Sequence, residues 1–146
     1  MEELDSILAI QEKRLAKKCL DYPLLSPQEA LHAIPNLGEI GNADEFALKE
    51  KSNNRLFVFS LRNDGSLFLP KFQFNAGNHT VLPIVPRLCF ALSGLSDLSV
   101  YFWLTSYDDD LESTPADCLE DLSRSELVVD LASLYKNEST LRHLSH

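Results

Sequence analysis

Four histidines, three cysteines and a run of carboxylates are the side chains through which this 146-residue chain could do chemistry. His143 and His146 stand three apart, a spacing that can present two imidazoles to a metal, but they lie in a C-terminal tail. His32 falls on a short helical segment and reads as a surface or boundary residue. His79 sits in the loop-like Gly77-Asn78-His79-Thr80, and a general-base role would need a nucleophile and a carboxylate that the sequence does not set beside it. Asp108-Asp109-Asp110 opens like a calcium loop. Counted from Asp108, however, the sixth residue is Ser113 where glycine is needed, and the twelfth is Leu119 where glutamate is needed. Glu112 with Glu120 and Asp121 has no spacing that argues for a paired-carboxylate hydrolase. Phosphate-loop, dinucleotide, nucleophile-elbow and zincin motifs do not occur. The chain therefore reads as a non-enzyme, with no metal and no cofactor expected.

The charge distribution points instead to recognition. Net charge is −9, which opposes non-specific binding to nucleic acid. The acidity is concentrated in residues 107–130, where Asp108, Asp109, Asp110, Glu112, Asp117, Glu120, Asp121, Glu126 and Asp130 face one base, Arg124. A basic partner is the complement of such a surface. Phe57, Phe59, Phe68, Phe72 and Phe74 interleave with Arg55, Arg62 and Lys71, as in a nucleic-acid platform. Leu56, Val58, Leu61, Leu67 and Leu69 alternate with them, so both faces are apolar, and a hairpin buried between helical units is the simpler reading. Cys19, Cys89 and Cys118 have neither CxxC spacing nor an even count, and the opening Met-Glu-Glu-Leu-Asp-Ser is acidic where a signal peptide is basic. Reduced thiols in a cytoplasmic protein are expected. No run of about 18 apolar residues is present to span a bilayer.

These residues must be positioned by a mainly α fold with one small antiparallel β-hairpin. Apolar spacing predicts an amphipathic helix over residues 2–20. Ser26-Pro27-Gln28-Glu29 is a capping box with proline at the first helical position, predicting a helix to about Ile34, and Asn42-Ala43-Asp44-Glu45 predicts another through about Lys51. Residues 56–61 and 66–69, joined by Asn63-Asp64-Gly65, predict a hairpin, with Phe72-Gln73-Phe74 extending the chain beyond Pro70. Helical texture returns over 82–92 and 98–104. Thr114-Pro115 opens a short helix, and Ser123 or Ser125 caps a last one whose buried face holds Leu127, Val128, Leu131, Leu134 and Tyr135. Trp103, inside Tyr101-Phe102-Trp103-Leu104, is expected to be substantially buried. The order fits a helix-turn-helix-like part with a β wing over 1–75, followed by a helical domain over 76–146.

The same order resembles a family of small bacterial antitoxins. Leu25-Ser26-Pro27-Gln28-Glu29-Ala30 resembles the start of a bacterial helix-turn-helix unit. Arg55-Leu56-Phe57-Val58-Phe59, the Asn63-Asp64-Gly65 turn and Leu69-Pro70-Lys71-Phe72-Gln73-Phe74 are similar to a signature of basic–Leu–aromatic, turn, then Pro–x–aromatic–Gln–Phe. Trp103-Leu104-Thr105-Ser106, Leu111 and Ser113 to Leu119 resemble the Trp-Leu … Leu-x-Gly-x-x-Pro-x-x-Leu-Leu pattern of ParS/Xre-type C-terminal domains, with Glu112 or Ser113 where the glycine stands. The resemblance spans about residues 22–137. It implies a partner toxin of the RES-domain class, which consumes NAD, and in some relatives repression of their own operon.

Three functions follow as expectations. The first is a protein-binding antitoxin-like module whose partner surface comprises Asp108, Asp109, Asp110, Glu112, Asp117, Glu120 and Asp121. The second is a DNA-binding regulator using Lys49, Lys51, Asn53, Asn54 and Arg55, although Asp44, Glu45 and Glu50 on the same segment would repel phosphate. The third is a small-ligand protein or enzyme with a cleft lined by Phe72, Tyr101 and Trp103. The apolar stripe of residues 2–20 also predicts a homodimer.

Overall fold

A computed structural model describes residues 2–33, 42–62, 64–75, 77 and 80–144, with side chains over 10–32, 42–62, 64–75, 77 and 80–139. His79, His146, Asn63 and the side chain of His143 lie outside them, as do the side chains of Leu4, Ile7 and Leu8 in the stripe expected to dimerise. Among the described residues the chain is mainly helical with one two-stranded antiparallel sheet. The elements are α1 (Glu2–Asp21), β1 (Leu24–Leu25), α2 (Pro27–Ala33), α3 (Ala43–Ser52), β2 (Leu69–Pro70), α4 (Val85–Ala91), α5 (Asp97–Leu104) and α6 (Leu122–Leu144). Short 3-10 turns at Lys71–Gln73 and Ala116–Cys118 join them.

The helix starts follow from local chemistry. Ser26 Oγ accepts the Glu29 N–H at 3.1 Å while Glu29 Oε1 accepts the Ser26 N–H at 3.0 Å, a reciprocal capping box that opens α2. Asn42 Oδ1 accepts the Glu45 N–H at 3.1 Å at the start of α3, and Ser96 Oγ accepts the Ser99 N–H at 3.2 Å at α5. The last helix is capped differently from the expectation. Asp121 Oδ1, not Ser123 or Ser125, accepts the Ser123 and Arg124 N–H groups at 3.0 and 3.2 Å. The Thr114-Pro115 helix is one 3-10 turn, with Thr114 Oγ1 accepting the Asp117 N–H at 3.2 Å.

The expected hairpin forms in reduced form. Phe59 and Phe68 exchange both backbone hydrogen bonds, at 2.7 and 2.9 Å, around a turn in which Gly65 takes a φ of +81°. The next residues then leave the hairpin, and β2 pairs with β1, Leu24 against Pro70 and Leu25 against Leu69. The chain does not stay extended beyond Pro70, but turns through Lys71–Gln73 before Phe74 bridges Val81.

Two apolar cores result. One gathers Ala30 of α2, Phe46 and Ala47 of α3, then Leu56, Val58, Leu69 and Phe74. The other gathers Phe57, Phe59, α4, α5, Leu111, Cys118, Leu119 and Val128 and Ala132 of α6, with Leu15 and Cys19 of α1 packed against it. Residues 56–59 are buried, and alternate side chains enter alternate cores. The buried face of α6 is Ser125, Val128 and Ala132, whereas Leu127 and Leu134, expected on that face, are exposed. Tyr101, not Trp103, is the fully buried aromatic of α5. Its hydroxyl donates to the Tyr22 carbonyl at 2.9 Å, while half-buried Trp103 stacks on Tyr135 with ring centroids 5.5 Å apart.

Candidate partner interface

The acidic segment connects α5 to α6, and its carboxylates divide into two jobs. Asp108 Oδ1 accepts the Asp110 N–H at 2.8 Å and the Leu111 N–H at 3.3 Å, while the Asp108 N–H donates to the Ser113 carbonyl at 2.9 Å, closing a tight turn. Arg124 of α6 donates to the Leu111 carbonyl and ties that turn to the last helix. Asp117 accepts the Tyr22 hydroxyl at 3.1 Å, and Thr114 Oγ1 lies 2.8 Å from the same oxygen, so the end of α1 is fastened to this loop. Asp121 is committed to capping α6, and the Ser123 hydroxyl and backbone bonds hold its carboxyl below the usual range. Leu111, Ala116, Cys118 and Leu119 plug the loop into the core from below.

Asp109, Asp110 and Glu112 do the other job. They are exposed and have no ion-pair or side-chain hydrogen-bond partner among the described residues. Glu120 is exposed on the following turn. Glu112 occupies the left-handed region with φ +52°, a conformation that favours glycine. Flanking the carboxylates are two exposed apolar side chains, Tyr107 and Leu122, at 65% and 83% exposure. Sequence reasoning missed both. Leu122 follows a capping aspartate rather than preceding a core stripe, and only the position of that cap reveals it.

The cationic set expected for DNA is largely diverted. Lys51 Nζ lies 2.5 Å from Asp97 Oδ2, and Arg55 pairs with Glu50 at 3.8 Å. The Asn53 N–H closes the end of α3 on the Lys49 carbonyl, and Asn54 takes a left-handed φ of +54°. Lys49 is left as the exposed cation of the set without a carboxylate partner among the described residues. Exposed Asp44 and Glu45 occupy the opposite end of α3.

Phe72, Tyr101 and Trp103 do not share a cleft. Phe72 packs edge-on against Tyr22, and Tyr101 lies inside the core. Clefts lie elsewhere among the described residues, one of about 570 Å³ between α3 and the α4–α5 corner and another of about 580 Å³ between α4 and α6. Exposed Phe90 lines the second, beside a bidentate pair in which Arg87 meets Glu126 at 2.5 and 2.9 Å and holds its carboxyl below the usual range. Cys89 and Cys118 are buried, Cys19 partly so, and burial pushes the Cys89 thiol up to about 12. No group of three or more potential metal ligands gathers among the described residues, and none of their helices is long and apolar enough to cross a membrane. Comparison with protein-family models, with curated proteins and with solved structures found no match for this chain.

Proposed function

We propose that the chain is a non-enzymatic, antitoxin-like protein-binding module that works in the cytoplasm and docks a basic partner toxin of the RES-domain class through the loop between α5 and α6. The observation that carries this reading is the division of labour in that loop. Asp108 and Asp121 accept backbone N–H groups, Asp117 takes the Tyr22 hydroxyl, and Asp109, Asp110 and Glu112 stand exposed on the loop between Tyr107 and Leu122. A charged surface held rigid before binding loses little entropy on association, and exposed apolar groups beside it supply area that water gains by leaving. Glu112 adds support, because its left-handed backbone falls at one of the two positions, Glu112 or Ser113, where the pattern that this segment resembles has glycine.

Operon repression through α2 and α3 is the weaker reading, since Lys51 and Arg55 already have carboxylate partners. Exposed Ile10 and Leu20 on α1 support self-association through that helix. Sedimentation showing one monomeric species throughout the micromolar range would remove the dimer.

The experiment for the main reading is co-expression with the RES-domain toxin encoded beside the gene, read by pull-down and by relief of toxicity. The wild-type chain should co-purify and protect. Asp109→Lys with Asp110→Lys and Glu112→Lys should abolish both while leaving the thermal midpoint within a few degrees. A triple variant that still protects, or a wild-type chain that neither binds nor protects, sinks the proposal.

A further inference from the structure

The cleft between α3 and the α4–α5 corner has a volume of about 570 Å³, inside the range of small-molecule sites of about 300–1,000 Å³. Its walls are mixed: Leu48 and Leu95 present apolar surface, buried Leu56, Cys89 and Leu92 form the floor, and Ser52, Asn54 and Ser93 line the rim. Lys51 and Asp97 line it too, and they are joined to each other across it.

The two halves of that ion pair are not equivalent. Asp97 Oδ2 also accepts the backbone N–H of Ser60 at 2.8 Å, and Asp97 belongs to the first turn of α5, where a carboxylate suits the helix end. Its side chain is 22% exposed, and it is held from two elements. Lys51 is 37% exposed, has this one acceptor among its hydrogen bonds, and reaches it on a flexible four-carbon stem. The carboxylate is therefore the built part of the site, and the ammonium is its tenant.

We propose that this cleft binds a small organic cation, an apolar body carrying one primary ammonium, whose head takes the place of Lys51 on Asp97. The incoming ammonium replaces one charge-assisted bond with another of the same kind, so Asp97 is never left facing an apolar wall without a counter-ion. The displaced Lys51 head returns to water and regains rotamer freedom. The ligand's body covers Leu48 and Leu95, the leucines of the wall that still meet water, which supplies the gain. A carboxylate or phosphate of the same size is rejected, because its charge would meet Asp97. Nothing in this inference depends on the toxin-docking loop, which lies on the other side of α5 in sequence.

Calorimetric titration of the full chain tests it with phenylbutylamine as probe and with phenylbutyrate and phenylbutanol as matched acid and alcohol. The amine should bind at one site, the alcohol at least about tenfold more weakly, and the acid not at all. Asp97→Asn should weaken the amine by about tenfold or more. Lys51→Met, which keeps the stem and removes the competing head, should tighten it several-fold. Equal binding of amine and alcohol overturns the proposal, as does an amine that binds neither the wild type nor Lys51→Met. Should Asp97→Asn fail to fold, Lys51→Met still decides, because unchanged or weaker amine binding in that variant overturns the displacement.

Discussion

The side chain of Gln73 answers both backbone groups of Phe57: its Oε1 accepts the Phe57 N–H at 2.7 Å and its Nε2 donates to the Phe57 carbonyl at 2.9 Å. Gln73 is fully buried, so its amide stands in for the neighbouring strand that Phe57 lacks. Gln73→Leu, close in volume, should leave both backbone groups unpaired in the core. Loss of about 2–6 kcal/mol is expected, at about 1–3 kcal/mol for each of the two orphaned groups, read from the denaturant midpoint. A loss below about 0.5 kcal/mol would mean that water or a shifted backbone replaces the amide.

The aromatic residues of α5 should rank by burial. Tyr101→Ala removes a side chain with no exposed surface, and about 3–5 kcal/mol should be lost. Trp103→Ala removes a half-buried ring whose main partner is Tyr135, and about 1–2 kcal/mol is expected, well short of the cost of a full core truncation. Thermal or urea unfolding of the two variants checks the order, and equal losses would contradict it.

Glu112 offers a substitution that strengthens the fold. Replacing a non-glycine residue by glycine at φ +52° relieves strain of about 1 kcal/mol. Glu112→Gly should raise the unfolding midpoint, although it weakens the acidic surface by one charge. Higher stability with weaker binding to the proposed partner in one variant would separate the conformational from the electrostatic part of that residue.

Acid should weaken the protein, in part at its helix starts. The backbone and hydroxyl of Ser26 hold the Glu29 carboxyl below its ordinary value, and the Ser123 hydroxyl does the same for Asp121. A carboxyl lower in the folded than in the unfolded state contributes stability that is complete above its unfolded pKa, about 4, and is lost as pH falls through the folded one. The midpoint temperature should therefore be flat between about pH 7 and 5 and decline below about pH 4. Glu29→Gln with Asp121→Asn should flatten that decline. Ser26→Ala should cost about 0.5–2 kcal/mol at neutral pH, measurable by urea titration.

What could be read from the sequence was local. Ser26 with Glu29 and Asn42 with Glu45 are three residues apart, so their caps could be written down from spacing, and Gly65 likewise marked a place where the chain turns. The mainly helical class with a small antiparallel element followed from these signals. The pairing of β1 with β2 joins residues more than forty positions apart, and no property of Leu24 or Leu69 alone specifies it. Lys51 with Asp97 and Gln73 with Phe57 are invisible for the same reason. Leu127 and Leu134 were misplaced because α6 carries more leucine than one buried face requires, and periodicity alone does not choose between faces. Within the acidic run, composition could not separate carboxylates that hold backbone from carboxylates that face water. That distinction lives in hydrogen bonds from residues such as Tyr22, far away in the chain.

The buried segment 56–59 acts as a party wall. Leu56 and Val58 belong to one core and Phe57 and Phe59 to the other, so neither core can be dismantled without stripping a face from the segment that seals its neighbour. Two apolar cores then amount to one thermodynamic unit. Heat should melt them in a single calorimetric transition, and a fragment ending before Leu56 or beginning after Phe59 should lack the side chains that complete its own interior. A partner gripping one half would in this way stabilise the other against unfolding and proteolysis, at a distance and with no contact to it.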